Sequence, residues 1–93
     1  MLDKMKQLME MKKQADQIKR DLEGVVIEVS EVRGIKLAIT GAQTLRSIEI
    51  DETLLNPANK SRLESDLLRS VNAAIRKSQQ AAVQKMAAVM PGF

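Results

Sequence analysis

The 93-residue chain has no histidine, no cysteine, no tryptophan and no tyrosine, and its one phenylalanine is the last residue, Phe93. Without histidine there is no side chain that titrates near neutrality as a general base, and without cysteine there is no thiolate nucleophile. The same gaps remove nearly all zinc, copper and iron–sulfur ligand sets. The lack of cysteine gives no sign of an oxidising compartment and is compatible with a cytoplasmic setting. Aromatic anchors are missing too, so the core has to come from Leu, Ile, Val, Met and Ala, which bury less area each. A chain of this length holds one modest core, and burial against a second copy is a physically reasonable supplement. Long hydrophobic runs are also absent. The start, MLDKMKQLMEMKKQ, interleaves charges with apolar residues and fits neither a signal peptide nor a membrane span. No glycine-rich phosphate loop exists, since Gly24, Gly34 and Gly41 stand alone. No cofactor, metal or small-molecule substrate is expected, and the composition points away from an enzyme.

The charge is small overall but unevenly placed. The net value is +3; residues 1–23 carry six basic and five acidic groups, 24–52 three and five, and 53–93 six and two. From Leu67 onward there are four basic residues and no acid.

The periodicity divides the chain into helix, three strands and helix. Leu8, Met11, Ala15, Ile18, Leu22 and Val25 recur at alternating steps of three and four, the pattern of a helix with an apolar seam for a partner helix. Gly24 is placed to stop it. From Val25 the period becomes two, giving strands around Val25 to Ser30, Ile35 to Thr40 and Ser47 to Asp51, separated by turns at Arg33-Gly34 and Gly41-Ala42. Connections this short allow only an antiparallel meander. A second helix begins either at Asn56-Pro57 or one turn later at the capping box Ser61-Arg62-Leu63-Glu64. Leu67, Val71, Ala74, Ile75, Ser78, Ala82, Met86 and Val89 then keep helical spacing until Pro91-Gly92, with a short frayed end after it. The expected fold is a two-layer α+β domain, α-β-β-β-α, over residues 1–93, with a helical arm at 1–23, a sheet at 25–51 and a helix at 57–90.

Arg62, Arg69 and Arg76 are spaced by seven and so fall within roughly 40° of one another on the second helix, on the side opposite Val71, Ser78 and Val89. Lys77 flanks the row, Gln80 and Gln84 extend its polar side, and Lys85 falls near the edge of the apolar face. A solvated basic face suited to a helix C-terminus is one reading. Contact with a polyanion is the other; the pattern alone places the solvated face first, although that reading leaves the lack of interspersed acids unexplained. On the first helix Lys12, Lys13, Lys19 and Arg20 are accompanied by acids, and Lys12 and Lys19 border the seam, where they suit a helix pair better than DNA. Met1, Met5, Met9 and Met11 suit packing before a binding groove. The carboxylates Glu49, Asp51, Glu52, Glu64 and Asp66 suit strand ends and helix starts better than catalysis.

Residues 34–55, GIKLAITGAQTLRSIEIDETLL, and 63–80, LESDLLRSVNAAIRKSQQ, resemble the YbaB/EbfC family of bacterial nucleoid-associated proteins. The features that carry the likeness are Leu37, Ile39 and Gly41 of a strand and turn, Ile50-Asp51 with Leu54-Leu55, and Asn72-Ala73-Ala74 in the helix. The Met/Lys/Gln-rich first helix also fits, so the likeness spans the chain. Glu52 stands where that family commonly has proline, and the glycine-rich turn before the second strand is reduced to Arg33-Gly34. The resemblance implies a cytoplasmic, nucleoid-associated homodimer with projecting helical arms that binds double-stranded DNA with limited sequence preference. On that view Arg62, Arg69, Arg76 and Lys77 contact phosphates, Lys12, Lys13, Lys19 and Arg20 contribute weakly, and Leu8, Met11, Ala15, Ile18 and Leu22 serve dimerisation. The competing expectation is a dimeric adaptor or chaperone-like module that holds a protein in an aliphatic, Met-rich groove.

Overall fold

A computed structural model describes residues 2–89 and has the expected order of elements. Helix α1 spans Leu2–Glu23, strands β1, β2 and β3 span Val26–Val29, Ile35–Thr40 and Leu45–Ile50, and helix α2 spans Lys60–Val89. The sheet is antiparallel in the order β1-β2-β3, with Ile27 opposite Ile39 and Leu37 opposite Ile48. It is one residue shorter at each end than 25–51. Val25 instead closes the α1 terminus through its N–H to the Leu22 carbonyl at 3.1 Å, and Asp51 turns away to cap a short 3-10 turn, Glu52–Leu54.

The Asp51 carboxylate accepts from the Thr53 amide and hydroxyl at 3.0 and 2.9 Å, and these bonds hold its pKa below the ordinary 3.8. Its stabilising effect is therefore complete above that value and fades as pH falls through the lowered one. Asn56 caps a second 3-10 turn, Pro57–Asn59, accepting from the Ala58 amide at 3.0 Å. The expected helix at 57–90 thus starts as 3-10 and becomes α-helical at Lys60. The alternative box at Ser61 is not where the chain is capped: Glu64 pairs with Lys60 at 3.3 Å. Pro91-Gly92, the frayed end, Met1 and the side chain of Val89 lie outside the described residues.

The core is aliphatic: Val29, Val32, Ile35, Leu37 and Ile39 meet Ala73 and Ala74 of α2. On α2 the fully covered positions are all small, Ser70, Ala73, Ala74 and Ser78, so the helix backbone lies close over β1 and β2. Leu67, Val71 and Ile75, the large residues of the expected apolar stripe, are only half-buried. The stripe that is buried is rotated from the one the large residues mark. Ser78 Oγ donates to the Thr40 carbonyl at 2.7 Å in this contact, whereas the buried Ser70 Oγ has no partner among the described residues.

Strand β3 is not covered. Register places Leu45 and Ile48 on the same side as the buried Ile39 and Leu37, yet they are 41% and 49% exposed because α2 sits over the other two strands. The register shifts between Ala38 and Ile39, leaving Arg46 of β3 without a partner opposite it, and Arg46 Nη2 donates to the Glu23 carbonyl at the α1 terminus at 3.2 Å. Gly34, at φ 93°, makes the turn between β1 and β2. Gly41 serves close approach, since a Cβ there would meet Leu22 Cδ2 at 3.0 Å.

That approach fixes the base of α1. Ile18 and Leu22 are buried within their own protomer, while every described residue from Leu2 to Gln17 is exposed. Of the seam expected to face a second copy, only Leu8, Met11 and Ala15 remain open. The molecule is drawn out to 66 × 20 × 18 Å with a radius of gyration of 18.3 Å, against about 12 Å for a compact domain of this length.

The two buried serines differ in a measurable way. Ser78→Ala removes a satisfied bond and is expected to lower stability by about 1 kcal/mol. Ser70→Ala removes an unsatisfied hydroxyl and adds helix propensity, so stability is expected to hold or rise by up to about 1 kcal/mol. Urea denaturation at one fixed protein concentration compares them.

Candidate nucleic-acid interface

Arg62, Arg69 and Arg76 are all exposed, and each step of seven advances about 10.5 Å along the α2 axis, giving a row about 21 Å long. The row does not stand opposite the core as the large-residue stripe implied. Ala73, within roughly 60° of all three arginines at 100° per residue, is 3% exposed, so the row runs along one flank of the buried stripe. The far side of α2 instead displays Leu68 and Val83, each 66% exposed. The rotation has the same cause as the close helix–sheet contact: Ala and Ser, not Leu and Val, face the sheet.

The row is less uniformly basic than its spacing alone suggests. Asp66 lies between Arg62 and Arg69, with one carboxylate oxygen 3.9 Å from Arg62 Nε and the other 3.9 Å from Arg69 Nη2. These separations are long, and exposed pairs of this kind contribute little to stability. One carboxylate balances one charge of two. The i,i+4 and i,i−3 spacing is present in the sequence, but Asp66 precedes the acid-free stretch that begins at Leu67. Arg76 and Lys77 are exposed and make no ion pair among the described residues. Arg76 borders an open groove with Gln79, Gln80, Val83 and Gln84, where amide groups flank an exposed apolar side chain. Lys85 is half-buried, in keeping with its position near the apolar edge.

Arg33 is a residue that sequence reasoning missed. In sequence it reads only as part of a turn, but in the fold it shares with Arg62, Arg69 and Asp66 a cleft of about 300 Å³ between the β1–β2 turn and the start of α2. Proximity across 29 residues of chain leaves no local signal.

Lys12, Lys13, Lys19 and Arg20 are all exposed on α1 and none lines that cleft. At 100° per residue, Lys12 and Lys19 share one side of the arm and Lys13 and Arg20 another. The carboxylates that cluster in sequence have separate local tasks: Asp51 caps a turn, Glu64 pairs with Lys60, and Asp66 sits in the arginine row. Among the described residues no group of three or more His, Cys, Asp or Glu side chains could hold a metal ion. No helix in this region is long and apolar enough to cross a membrane.

Comparison with known proteins agrees with the expected family. The sequence profile of the YbaB/EbfC DNA-binding family matches residues 1–93. A nucleoid-associated protein of Ruminiclostridium cellulolyticum is 32% identical over 90 residues, covering 96% of this chain and 78% of that protein. The crystal structure of an uncharacterized Helicobacter pylori protein superimposes with a TM-score of 0.75 at 20% identity, covering 91% of this chain and 89% of the other. At that identity the superposition speaks for the fold.

Asp66→Asn leaves the arginines in place and removes the carboxylate they share. Affinity for a duplex is expected to rise about threefold or more at moderate salt, with a steeper salt dependence, as read by fluorescence anisotropy.

Proposed function

The chain belongs to the YbaB/EbfC DNA-binding family, and on that footing we propose that it is a nucleoid-associated homodimer of the bacterial cytoplasm that holds duplex DNA mainly by its phosphate backbone, with limited sequence preference. The observation that carries this reading is the exposed row of Arg62, Arg69 and Arg76 with Lys77 beside it. Guanidinium groups make forked bonds to phosphate oxygens at any sequence. The row offers no recognition-helix pattern of side chains for base edges, so phosphate contact dominates. Lys12, Lys13, Lys19 and Arg20 on the arm add weaker, diffuse attraction. By binding in this manner the protein contributes to nucleoid organisation and through it to gene expression.

Self-association is supported by surface area. The protomer exposes 7439 Å², whereas a compact monomer of 10.3 kDa exposes about 5,400 Å². The excess of about 2,000 Å² includes Leu8, Met11, Ile48 and Leu68, all between 49% and 66% exposed. A second copy covers such a surface at the scale of a stable interface. In this arrangement Leu8, Met11 and Ala15 meet the partner, while Ile18 and Leu22 hold each arm to its own protomer. Two copies double every phosphate contact, which turns individually weak contacts into useful affinity.

Anisotropy on two unrelated duplexes across a salt series tests the reading. About six phosphates bound per dimer give a log–log slope near −5, similar on both duplexes. Arg69→Gln with Arg76→Gln is expected to weaken both complexes about equally, by tenfold or more near 0.1 M salt, without changing the dimer. Negligible wild-type binding near physiological salt would reject the reading in favour of a protein-clamping module. Sedimentation equilibrium is expected to give twice the 10.3 kDa chain mass. Leu8→Ser with Met11→Ser should move that equilibrium toward monomer.

A further inference from the structure

The cleft holding Arg33 has the properties of an anion seat. Three guanidinium-bearing residues, Arg33, Arg62 and Arg69, line it against one carboxylate, Asp66, so it carries a net +2. Asp66 is divided between two partners at 3.9 Å, and Arg33 makes no ion pair among the described residues. The Asp66 side chain is 20% exposed, whereas the Arg62 and Arg69 side chains are 85% and 63% exposed and so remain open to a ligand.

Arg33 comes from a well-fixed turn. Ile35 N–H donates to the Val32 carbonyl at 3.1 Å, and Asp51 N–H donates to the Gly34 carbonyl at 2.8 Å. Gly34 lies so close to Leu54 that a Cβ would fall 2.8 Å from Leu54 Cδ1. The buried Val32 on the other side of Arg33 anchors the turn to the core. Leu54 and Leu63 give the same cleft an apolar wall beside the arginines.

We propose that this cleft seats one phosphodiester group of the bound duplex, with Arg33 as a ligand from the β1–β2 turn alongside Arg62 and Arg69 from α2. The proposal rests on the backbone-binding reading above and deepens it. Arg33 adds a ligand beside the α2 row, so the phosphate here is gripped from two elements, whereas at Arg76 it meets one helix surface.

Arg33→Gln and Lys36→Gln remove the same charge from neighbouring exposed positions, but Lys36 lies outside the cleft. Anisotropy on a duplex over a salt series compares both with wild type, after circular dichroism and thermal melting confirm folding. A dimer has two such clefts, and Arg33→Gln takes one phosphate ligand from each. It is therefore expected to flatten the log–log slope by about 2 and weaken binding at least tenfold near 0.1 M salt, while Lys36→Gln stays within about twofold of wild type. Arg33→Lys, which keeps the charge but loses the planar fork, is expected to keep the slope and fall between them in affinity. Equal losses of affinity for Arg33→Gln and Lys36→Gln would overturn the proposal, leaving only a general charge effect. An unchanged Arg33→Gln beside a steep wild-type slope would overturn it while leaving backbone binding by the α2 row intact. A wild type that fails to bind near physiological salt would remove both.

Discussion

The architecture depends on how close α2 can come to the sheet. Ser70, Ala73, Ala74 and Ser78 form the face that touches β1 and β2, and none has a side chain longer than a hydroxymethyl group. The gap between the layers is filled from the sheet side by Val29, Ile35, Leu37 and Ile39. This asymmetry of large against small sets the rotation of α2 about its axis. It turns Leu67, Val71 and Ile75 to the flank and lays the arginine row along the other edge. The Ser78 to Thr40 bond fixes the sliding position of the helix, because it joins one point on α2 to one carbonyl at the end of β2.

The elements themselves are legible in the sequence because each rests on local periodicity. A seam at steps of three and four makes α1, alternation makes the strands, and Asn56-Pro57 with its local bond makes the entry to α2. The rotation of α2 is not legible. A pattern read by hydrophobicity gives most weight to Leu67, Val71 and Ile75, while close packing selects Ala73 and Ala74, which look weakly apolar in sequence. The basic row is visible as a spacing of seven. Its partial neutralisation by Asp66 is available from i,i+4 arithmetic, but Arg33 at its side is not, since only the folded β1–β2 turn brings residue 33 to residues 62 and 69. The roles of Ile18 and Leu22 are similarly hidden: a heptad seam does not say where along its length the helix stops packing on its own chain.

Both long helices therefore have two unlike surfaces. At its base α1 is part of the protomer core, and from Gln17 back to its start it is an arm with apolar residues exposed. The covered side of α2 is made of small residues and its outer side carries Leu68 and Val83 in the open. Strand β3 repeats the theme, with Leu45 and Ile48 on the inner side of the sheet but beyond the reach of α2. An aliphatic chain without aromatic anchors has spread its apolar residues over more surface than one protomer can fold around.

The length of the arginine row has a geometric consequence. B-form DNA advances about 34 Å per turn, so a straight row about 21 Å long follows about six base pairs and stays on one side of the duplex. A protomer with this surface is a short splint, not a ring. When two such splints are joined in one particle, the angle between them becomes the variable that matters. Nearly collinear splints lie along a single duplex and keep it straight, inclined ones require it to bend, and splints facing away from each other bring two separate duplex segments side by side.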